Sequence, residues 1–356
     1  MKILFVGETW RGSSARSLRE GLELIPGLTI DEVGEDHYSS RYQGKVLRGI
    51  DRLLRRWQIA ALEHEILSKI NSFKPDVLIF YKGSAIRARF LRALKRGDVR
   101  IVNVFPDLSP HAHGRALREA MGLYDLVIST KPFHPARWQS VYGYGNPCLF
   151  VPHGYDPAVH YWIDTPCSQD FDFDLVLAAT WRAEYHELMS KLAIALDGMP
   201  IRIALSGNGW RQRKSNFPDN WQFDNANVGR AYGTWLRRGK IVIAPVTTQI
   251  VIEGVRQPGD EDTTRSYELA AAGCFFLHRR TPHIQTVYDE QSEVPMWDDA
   301  KELADLIRRY LPLESERRAM AAKAHARAVP AYSIPSRAKD VLAILQRHFE
   351  LENSPP

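Results

Sequence analysis

The 356-residue sequence predicts two consecutive α/β domains, each a doubly wound parallel sheet, and three observations carry that expectation. Short apolar runs of strand length alternate with amphipathic helical stretches, as parallel βαβ units require. The alternation breaks at a polar, proline-containing join near residues 156–170 and then starts again. At roughly 100–200 residues per domain the length suits two such halves. A composition of 44% hydrophobic and 25% charged residues belongs to a globular chain able to bury a core in each.

Residues 2–6, with the apolar run Ile3 to Val6, read as a buried strand. A polar, glycine-punctuated loop from Gly7 to Ser14 follows, then a helical pattern through Leu18, Leu22 and Leu24. A weak strand at 29–33 leads to a long helix over about 45–73. Strands are expected at 76–81, 100–105, 126–129 and 148–151, with a short helix at 86–95. The second half repeats the scheme: strands at 173–178, 201–206, 241–245 and 274–278, and helices at 185–196 and 264–272, the latter closed by Gly273. Asp298 and Asp299 stand where an N-cap belongs for a helix reaching Leu311. The tail at 352–356 reads as disordered.

Composition also excludes classes. No apolar run approaches the roughly 20 residues of a membrane span, and the start, Met1-Lys2-Ile3-Leu4-Phe5-Val6-Gly7-Glu8, meets a carboxylate too early for a signal peptide. Three scattered cysteines make neither a disulfide framework nor a four-ligand zinc site. A reducing cytoplasm is therefore expected. Residues 1–155 carry 23 Lys/Arg against 15 Asp/Glu, a net +8, and the remainder 24 against 27, a net −3. The positive field of the front half favours anionic partners. Six basic residues, Arg41, Lys45, Arg48, Arg52, Arg55 and Arg56, are interleaved with apolar ones from Val46 to Trp57. They form a basic amphipathic helix, suited either to an anionic membrane surface or to a core face with arginines in water.

Three motifs, in order, carry a family resemblance. Val151-Pro152-His153-Gly154-Tyr155-Asp156-Pro157 resembles the P-x-G-x-D join of the group-one glycosyltransferases of the GT-B fold. Thr264-Arg265-Ser266-Tyr267-Glu268-Leu269-Ala270-Ala271-Ala272-Gly273 is similar to the T-x-R-x-F/Y-E-x-x-A-x-G helix of their CgeB-like branch, and the stretch from Val294 through Trp297-Asp298-Asp299 to Glu302-Leu303 resembles a following strand and helix. The resemblance implies two Rossmann-like domains facing an interdomain cleft: residues 1–155 on the acceptor side, 170–335 binding the nucleotide-sugar donor, and 336–356 a C-terminal helix returning to the first domain before its tail.

It also implies a set of site residues. The start of the Thr264 helix is a natural diphosphate site, because its first N–H groups have no partner within the helix; Thr263, Thr264 and Arg265 would meet the phosphates there. Glu268 would accept the ribose hydroxyls, and Asp260 or Glu261 would touch the donor sugar or cap the helix instead. Arg182 would contact the diphosphate. Gly207-Asn208-Gly209 resembles the G-x-G turn beneath the nucleotide. In the front half, Gly7 with Gly12-Ser13-Ser14 resembles the loop facing the cleft. Asp107 and His111, with His113, follow a strand whose end is a usual ligand position.

The expected activity is transfer of a sugar from a nucleoside diphosphate donor, a UDP or GDP sugar, to an acceptor hydroxyl, with retention and without metal or other cofactor. Expected partners are the nucleotide sugar, a glycan, lipid-linked or small-molecule acceptor, and an anionic membrane touched through residues 41–57, with no nucleic acid. The location would be the cytoplasm or the inner face of its membrane. Two rivals remain: a nucleotide-sugar epimerase of the same fold and a non-catalytic basic protein binding nucleic acid. The loops match neither a P-loop nor a dinucleotide fingerprint, and Asp172-Phe173-Asp174 fits a strand edge better than a metal motif.

Overall fold

The structure, a computed structural model, describes residues 1–38, 45–160 and 171–351, with residues 45–53 as backbone only. Arg41, the side chains of Lys45, Arg48 and Arg52, the second part of the join and the tail at 352–356 lie outside the described residues. The chain divides into two units. One comprises Met1–Pro152, Ile252–Val255 and the segment from Ile334; the other comprises His153–Val251 and Arg256–Ser333.

The first unit runs β1 (Lys2–Gly7), α1 (Ser14–Glu23), β2 (Thr29–Gly34), α2 (Lys45–Phe73), β3 (Val77–Tyr81), α3 (Ala88–Leu94), β4 (Arg100–Phe105), α4 (Arg115–Met121), β5 (Leu126–Ser129), α5 (His134–Arg137) and β6 (Cys148–Phe150). All pairings are parallel, in the order β2-β1-β3-β4-β5-β6, with Lys2 opposite Thr29 and Ile3 opposite Val77. Helices cover both faces, so the strands read as unbroken apolar runs rather than alternating ones. Leu4, Val6, Leu78, Phe80 and Ile101 face Leu62 and Ile66 of α2 and Phe90 and Leu91 of α3. Their neighbours Ile3, Phe5, Val77, Ile79 and Val102 face the opposite way, onto Leu18 and Leu22 of α1.

The second unit runs β7 (Phe173–Ala178), α6 (Ala183–Ala195), β8 (Ile203–Ser206), β9 (Gln222–Asp224), α7 (Arg230–Leu236), β10 (Gly239–Ala244), β11 (Gln249–Ile252), β12 (Val255–Pro258), α8 (Thr264–Ala271), β13 (Phe276–Arg279), α9 (Pro282–Val287), β14 (Met296–Trp297), α10 (Ala300–Tyr310) and α11 (Glu314–Ala328). Its parallel sheet has the order β14-β13-β10-β7-β8-β9; β11 and β12 pair separately. Leu175, Leu177, Ile241 and Ile243 pack on α6 and α10, whereas Val176, Ala178, Val242 and Ala244 pack on α7, α8 and α11. The last helix, α12 (Ile334–Phe349), belongs to the first unit and places Ala338, Val341 and Leu345 in the core face shared with α1. A Cβ on Gly21 of α1 would stand 3.2 Å from the Ala338 Cβ, the close helix approach that a glycine permits.

Most predicted elements have their place, but the sequence reading missed α4, α5, α7, α9, α11, β9 and the β11–β12 pair. Strand starts shifted where an apolar residue precedes the pairing: Ile201 and Cys274 are buried outside the strands they were assigned to. α2 packs through Leu62 and Ile66 toward its C-terminal end, while Leu54 and Trp57 nearer its start are 48% and 65% exposed. Among the described residues no helix is long and apolar enough to cross a membrane.

Candidate functional site

In an open parallel sheet, ligands gather at the C-terminal strand ends where the strand order reverses direction. In the second unit that point lies between β7 and β10. Arg265, in the first turn of α8, spans it: Nε donates to the Ala178 carbonyl at 2.9 Å and Nη1 to the Pro245 carbonyl at 3.0 Å. These are the last residue of β7 and the first after β10. Two of the five guanidinium N–H donors therefore hold a permanent charge at the crevice, where the guanidinium also donates a hydrogen bond to the Tyr232 hydroxyl.

Glu268 follows one turn later. Its Oε2 accepts from the Tyr232 hydroxyl at 3.1 Å, and its Oε1 lies 3.7 Å from His160 Nε2. The Asp156 amide donates to His160 Nδ1 at 3.3 Å, which leaves the ring proton on Nε2, near the carboxylate but beyond hydrogen-bond reach of it. His160 and Tyr232 meet edge to face. Burial, and then the Glu268 charge, push the Tyr232 hydroxyl pKa well above its ordinary value, so it stays a donor. His160 and Tyr232 were not foreseen, because nothing in their own sequence surroundings marks them; only the fold brings them to Glu268.

The start of α8 is more occupied than its sequence suggested. The Thr263 amide donates to Ser266 Oγ at 3.1 Å. Ser266 Oγ lies 2.8 Å from His278 Nε2, and His278 Nδ1 lies 2.7 Å from the Arg279 carbonyl. Since only an N–H can face that carbonyl, Nδ1 is the donor and Nε2 accepts from the serine hydroxyl. Burial lowers the His278 pKa to about 4, consistent with a neutral ring. One of the two amides expected to meet phosphate is thus already used within the helix cap, and Thr264 remains in the partly exposed first turn.

The acids before α8 divide their tasks. Asp260 is tied through its amide to the Thr247 carbonyl at 2.7 Å, just after β10, and its side chain is half-buried. Glu261 turns to α9, accepting from the His283 amide at 3.2 Å, while its carbonyl accepts from Thr281 Oγ1 at 2.6 Å. Asp262, fully buried, accepts from the Tyr267 hydroxyl at 2.7 Å. The Gly207-Asn208-Gly209 turn has a packing role that the sequence left open. A Cβ on Gly207, at φ +141, would overlap the Ala179 carbonyl oxygen at 2.0 Å, and one on Gly209 would meet Trp181 Cβ at 2.9 Å. The Asn208 carbonyl accepts from the Trp181 amide at 2.8 Å. The turn thereby fixes the path from β7 to Arg182, which is exposed at the N-cap of α6. A cavity of about 300 Å³ opens on the same edge, lined in part by Glu184, Tyr185, Pro245, Thr248 and Arg279.

In the first unit, a Cβ on Gly7 would meet Phe5, Ala15 and Tyr81 within 3.2 Å, so this glycine lets α1 start close against the sheet. Gly12 takes φ +95. Ser13 caps α1 by accepting from the Ala15 amide and donates to Glu8 at 3.1 Å, and Ser14 opens the helix. Asp107 lies 2.6 Å from Lys82 Nζ and 2.9 Å from His113 Nε2. Its pKa falls below the usual carboxylate range because those hydrogen bonds and charges outweigh burial. His111 instead packs edge-on against Tyr142 and Tyr144, its pKa lowered by burial and by Arg118. Asp174 binds Lys240 Nζ at 2.7 Å and the Arg202 amide at 2.8 Å, which makes the D-x-D stretch part of the strand edge. Among the described residues no group of three His, Cys, Asp or Glu is arranged to hold a metal ion.

Comparison with known proteins bears on the fold and on the second half of the chain. Residues 182–343 match the family model described as glycosyl transferase-like. No curated protein matches the sequence. Solved structures match along nearly the whole chain: sucrose-phosphate synthase from Thermosynechococcus elongatus has a TM-score of 0.69 at 13% identity, over 98% of this chain and 99% of that one. HepE from Anabaena, solved with UDP, gives 0.66 at 12% identity over 98% and 100%. A glycosyltransferase from Rickettsia africae gives 0.66 at 11% identity over 99% of each. The chain thus has the GT-B fold along its whole length, and residues 182–343 match a glycosyl transferase-like family.

Proposed function

We propose that the protein transfers a sugar from a nucleoside diphosphate donor held by the second unit to an acceptor hydroxyl bound by the first. One observation carries the reading: Arg265 and Glu268 stand a turn apart at the strand-order reversal of the unit that matches the family. In the reaction the bond from the sugar's anomeric carbon to the diphosphate oxygen breaks. The leaving diphosphate keeps the electron pair, and the acceptor oxygen bonds to that carbon and gives up its proton to the leaving phosphate oxygen. Arg265, with the Thr264 amide and Arg182, opposes the charge growing on the leaving oxygen. Glu268 accepts ribose hydroxyls, held in place by Tyr232, with His160 next to it. Asp260 and Glu261 are assigned to the donor sugar, Gly207-Asn208-Gly209 to the floor of the nucleotide site, and Asp107, His111 and the Gly7 to Ser14 loop to the acceptor side.

A UDP sugar is the favoured donor, since HepE has been solved with UDP-glucose as well as with UDP. Thermal-shift screening against UDP, GDP, ADP and TDP compounds tests it, because a ligand bound only by the folded state raises stability. UDP should raise the midpoint of the wild type; no shift with any nucleotide would remove the proposal. The same assay run as turnover extends the reading: an unchanged anomeric configuration in the product by NMR supports retention, and full activity with a chelator supports independence from metal. Peripheral contact with an anionic membrane at the cytoplasmic face rests on exposed Leu54 and Trp57 beside exposed Arg55 and Arg56. Equal sedimentation of wild type and an Arg55→Glu/Arg56→Glu variant with anionic vesicles at low salt would exclude it.

A further inference from the structure

The first unit also has a strand-order reversal, between β1 and β3, and what gathers there is unlike the second. Glu8 follows β1, Glu35 follows β2, Lys82 follows β3, and Asp107 lies two residues beyond β4. Lys82 is engaged with Asp107. Its backbone, at the left-handed φ of +65, donates to the Val104 carbonyl at 2.8 Å and accepts from Asn103 Nδ2 at 3.1 Å. Around this bend, Glu35 Oε1, Ser84 Oγ and Asn103 Oδ1 are buried with no hydrogen-bond partner, and Asn103 as a whole is fully buried. The Tyr124 hydroxyl lies beside them, 2.9 Å from where a Cβ on Gly83 would stand, with Asn103 Nδ2 3.4 Å from the same point. Buried polar atoms are ordinarily paired, and several left open at one crevice are an unmet demand for hydrogen bonds.

The chemistry of those groups selects what meets the demand. The groups facing Glu35 are Glu8, Asp36, Lys82 and Tyr124. Burial, then Glu8, raise the Glu35 pKa to about 8, so at neutral pH it is an uncharged acid with an O–H to donate. Asn103 Oδ1 only accepts; the serine hydroxyl does both. A phosphate or carboxylate brought here would face Glu8, Asp36 and Asp107, with the Lys82 charge already committed to Asp107. A sugar hydroxyl donates and accepts at once and carries no charge.

We propose that this crevice binds an uncharged, hydroxyl-rich molecule through Glu35, Ser84 and Asn103, and that it excludes phosphorylated or acidic sugars. Resting on the function proposed above, that molecule is the acceptor, and these three residues determine its class.

The test uses the full chain and needs no nucleotide at first. Saturation-transfer NMR with methyl glucoside and maltose, against glucose 6-phosphate and glucuronate, should give signal from the neutral pair alone. Ser84→Ala and Asn103→Leu should each weaken that binding about tenfold or more, the scale on which unpaired site groups discriminate; Ser84→Ala guards against misfolding of Asn103→Leu. Binding in the wild type should weaken above about pH 8, where Glu35 ionises, and Glu35→Gln should remove that dependence because its amide still donates. Signal from the charged sugars instead, from none, or equally from wild type and both Ser84→Ala and Asn103→Leu would overturn the proposal. If neutral sugars bind as stated but no nucleotide binds, the crevice stands and the transferase reading falls; if nucleotide binds and neutral sugars do not, the reverse holds.

Discussion

The two strand-order reversals share one architecture and carry opposite chemistry. In the second unit a guanidinium bridges the strand ends of β7 and β10 and stands beside a carboxylate ordered by Tyr232, with His160 next to it. In the first, the lysine is consumed by Asp107, and uncharged or acidic oxygens surround it. The difference shows that the charge of a domain and the charge of its crevice are separate quantities. The front half has a net charge of +8, yet part of that surplus lies on α2, where Arg55 and Arg56 face solvent. A cationic crevice suits an anionic leaving group, a neutral one a hydroxyl nucleophile.

The sharpest way to break the comparison is to remove the charge in the second unit. Arg265→Ala and Glu268→Ala should each reduce kcat/KM for the donor roughly 10²–10³-fold, the usual cost of losing one preorganised contact to a leaving group. Arg265→Lys should recover little, since an ammonium cannot reach both the Ala178 and Pro245 carbonyls as a planar fork does. Steady-state kinetics with UDP-sugar checks both. Wild-type turnover in both alanine variants would mean that the cationic crevice is structural only.

Next in size is a change to the scaffold under that crevice. Gly207→Ala would drive a Cβ into the Ala179 carbonyl and force an alanine to φ +141, so the second unit should lose about 3 kcal/mol or more. Denaturant unfolding measures this. A loss under about 1 kcal/mol would show that the β7–α6 connection gives way easily and does not fix Arg182.

The first unit is tested through stability against pH. Glu35 takes up its proton more tightly folded than unfolded, about 8 against 4.5. The folded state therefore holds more protons between those values, and the stability it retains at low pH is lost as pH rises through about 8. Glu35→Gln escapes that loss. Relative to wild type it should be more stable at pH 8, by up to roughly 4–5 kcal/mol on those two values, with the gain shrinking toward pH 5 and level above pH 8. Urea midpoints along a pH series would read it, and a flat difference would mean that Glu35 is charged at neutral pH and the crevice is not neutral.

These residues were unequally legible in the sequence. The buried strands were plain because both faces of each sheet are covered, which leaves unbroken apolar runs such as Ile3 to Val6. Arg265 and Glu268 were legible because they share one helical turn with a recognisable order of neighbours. Their partners were not: Tyr232 sits on α7, a helix the sequence reading did not foresee, and His160 lies in the join. Glu35 looked like one acid in the polar stretch Asp31-Glu32-Val33-Gly34-Glu35-Asp36. Only the pairing of β2 beside β1 carries it to the edge where Lys82 and Tyr124 stand. Gly207 looked like a ligand-binding turn, because the need for a missing Cβ is the same whether a phosphate or a carbonyl approaches.

The smallest expected effect separates an ordered carboxylate from a merely present one. Tyr232→Phe deletes a single hydroxyl whose bond to Glu268 Oε2 is 3.1 Å long and leaves the ring against His160. A hydrogen bond to a charged group contributes about 1.5–3 kcal/mol, but here the ribose hydroxyls of a bound nucleotide would replace the phenol in part. UDP affinity should accordingly fall only about threefold to tenfold, roughly 1 kcal/mol, with kcat little changed, because uniform binding is lost and not an interaction special to the transition state. Calorimetric titration of UDP beside turnover reads the two quantities apart. Tighter UDP binding in Tyr232→Phe would mean that the phenol competes with the nucleotide for Glu268 and guards the empty site, and a large fall in kcat would move Tyr232 among the groups that act on the leaving diphosphate.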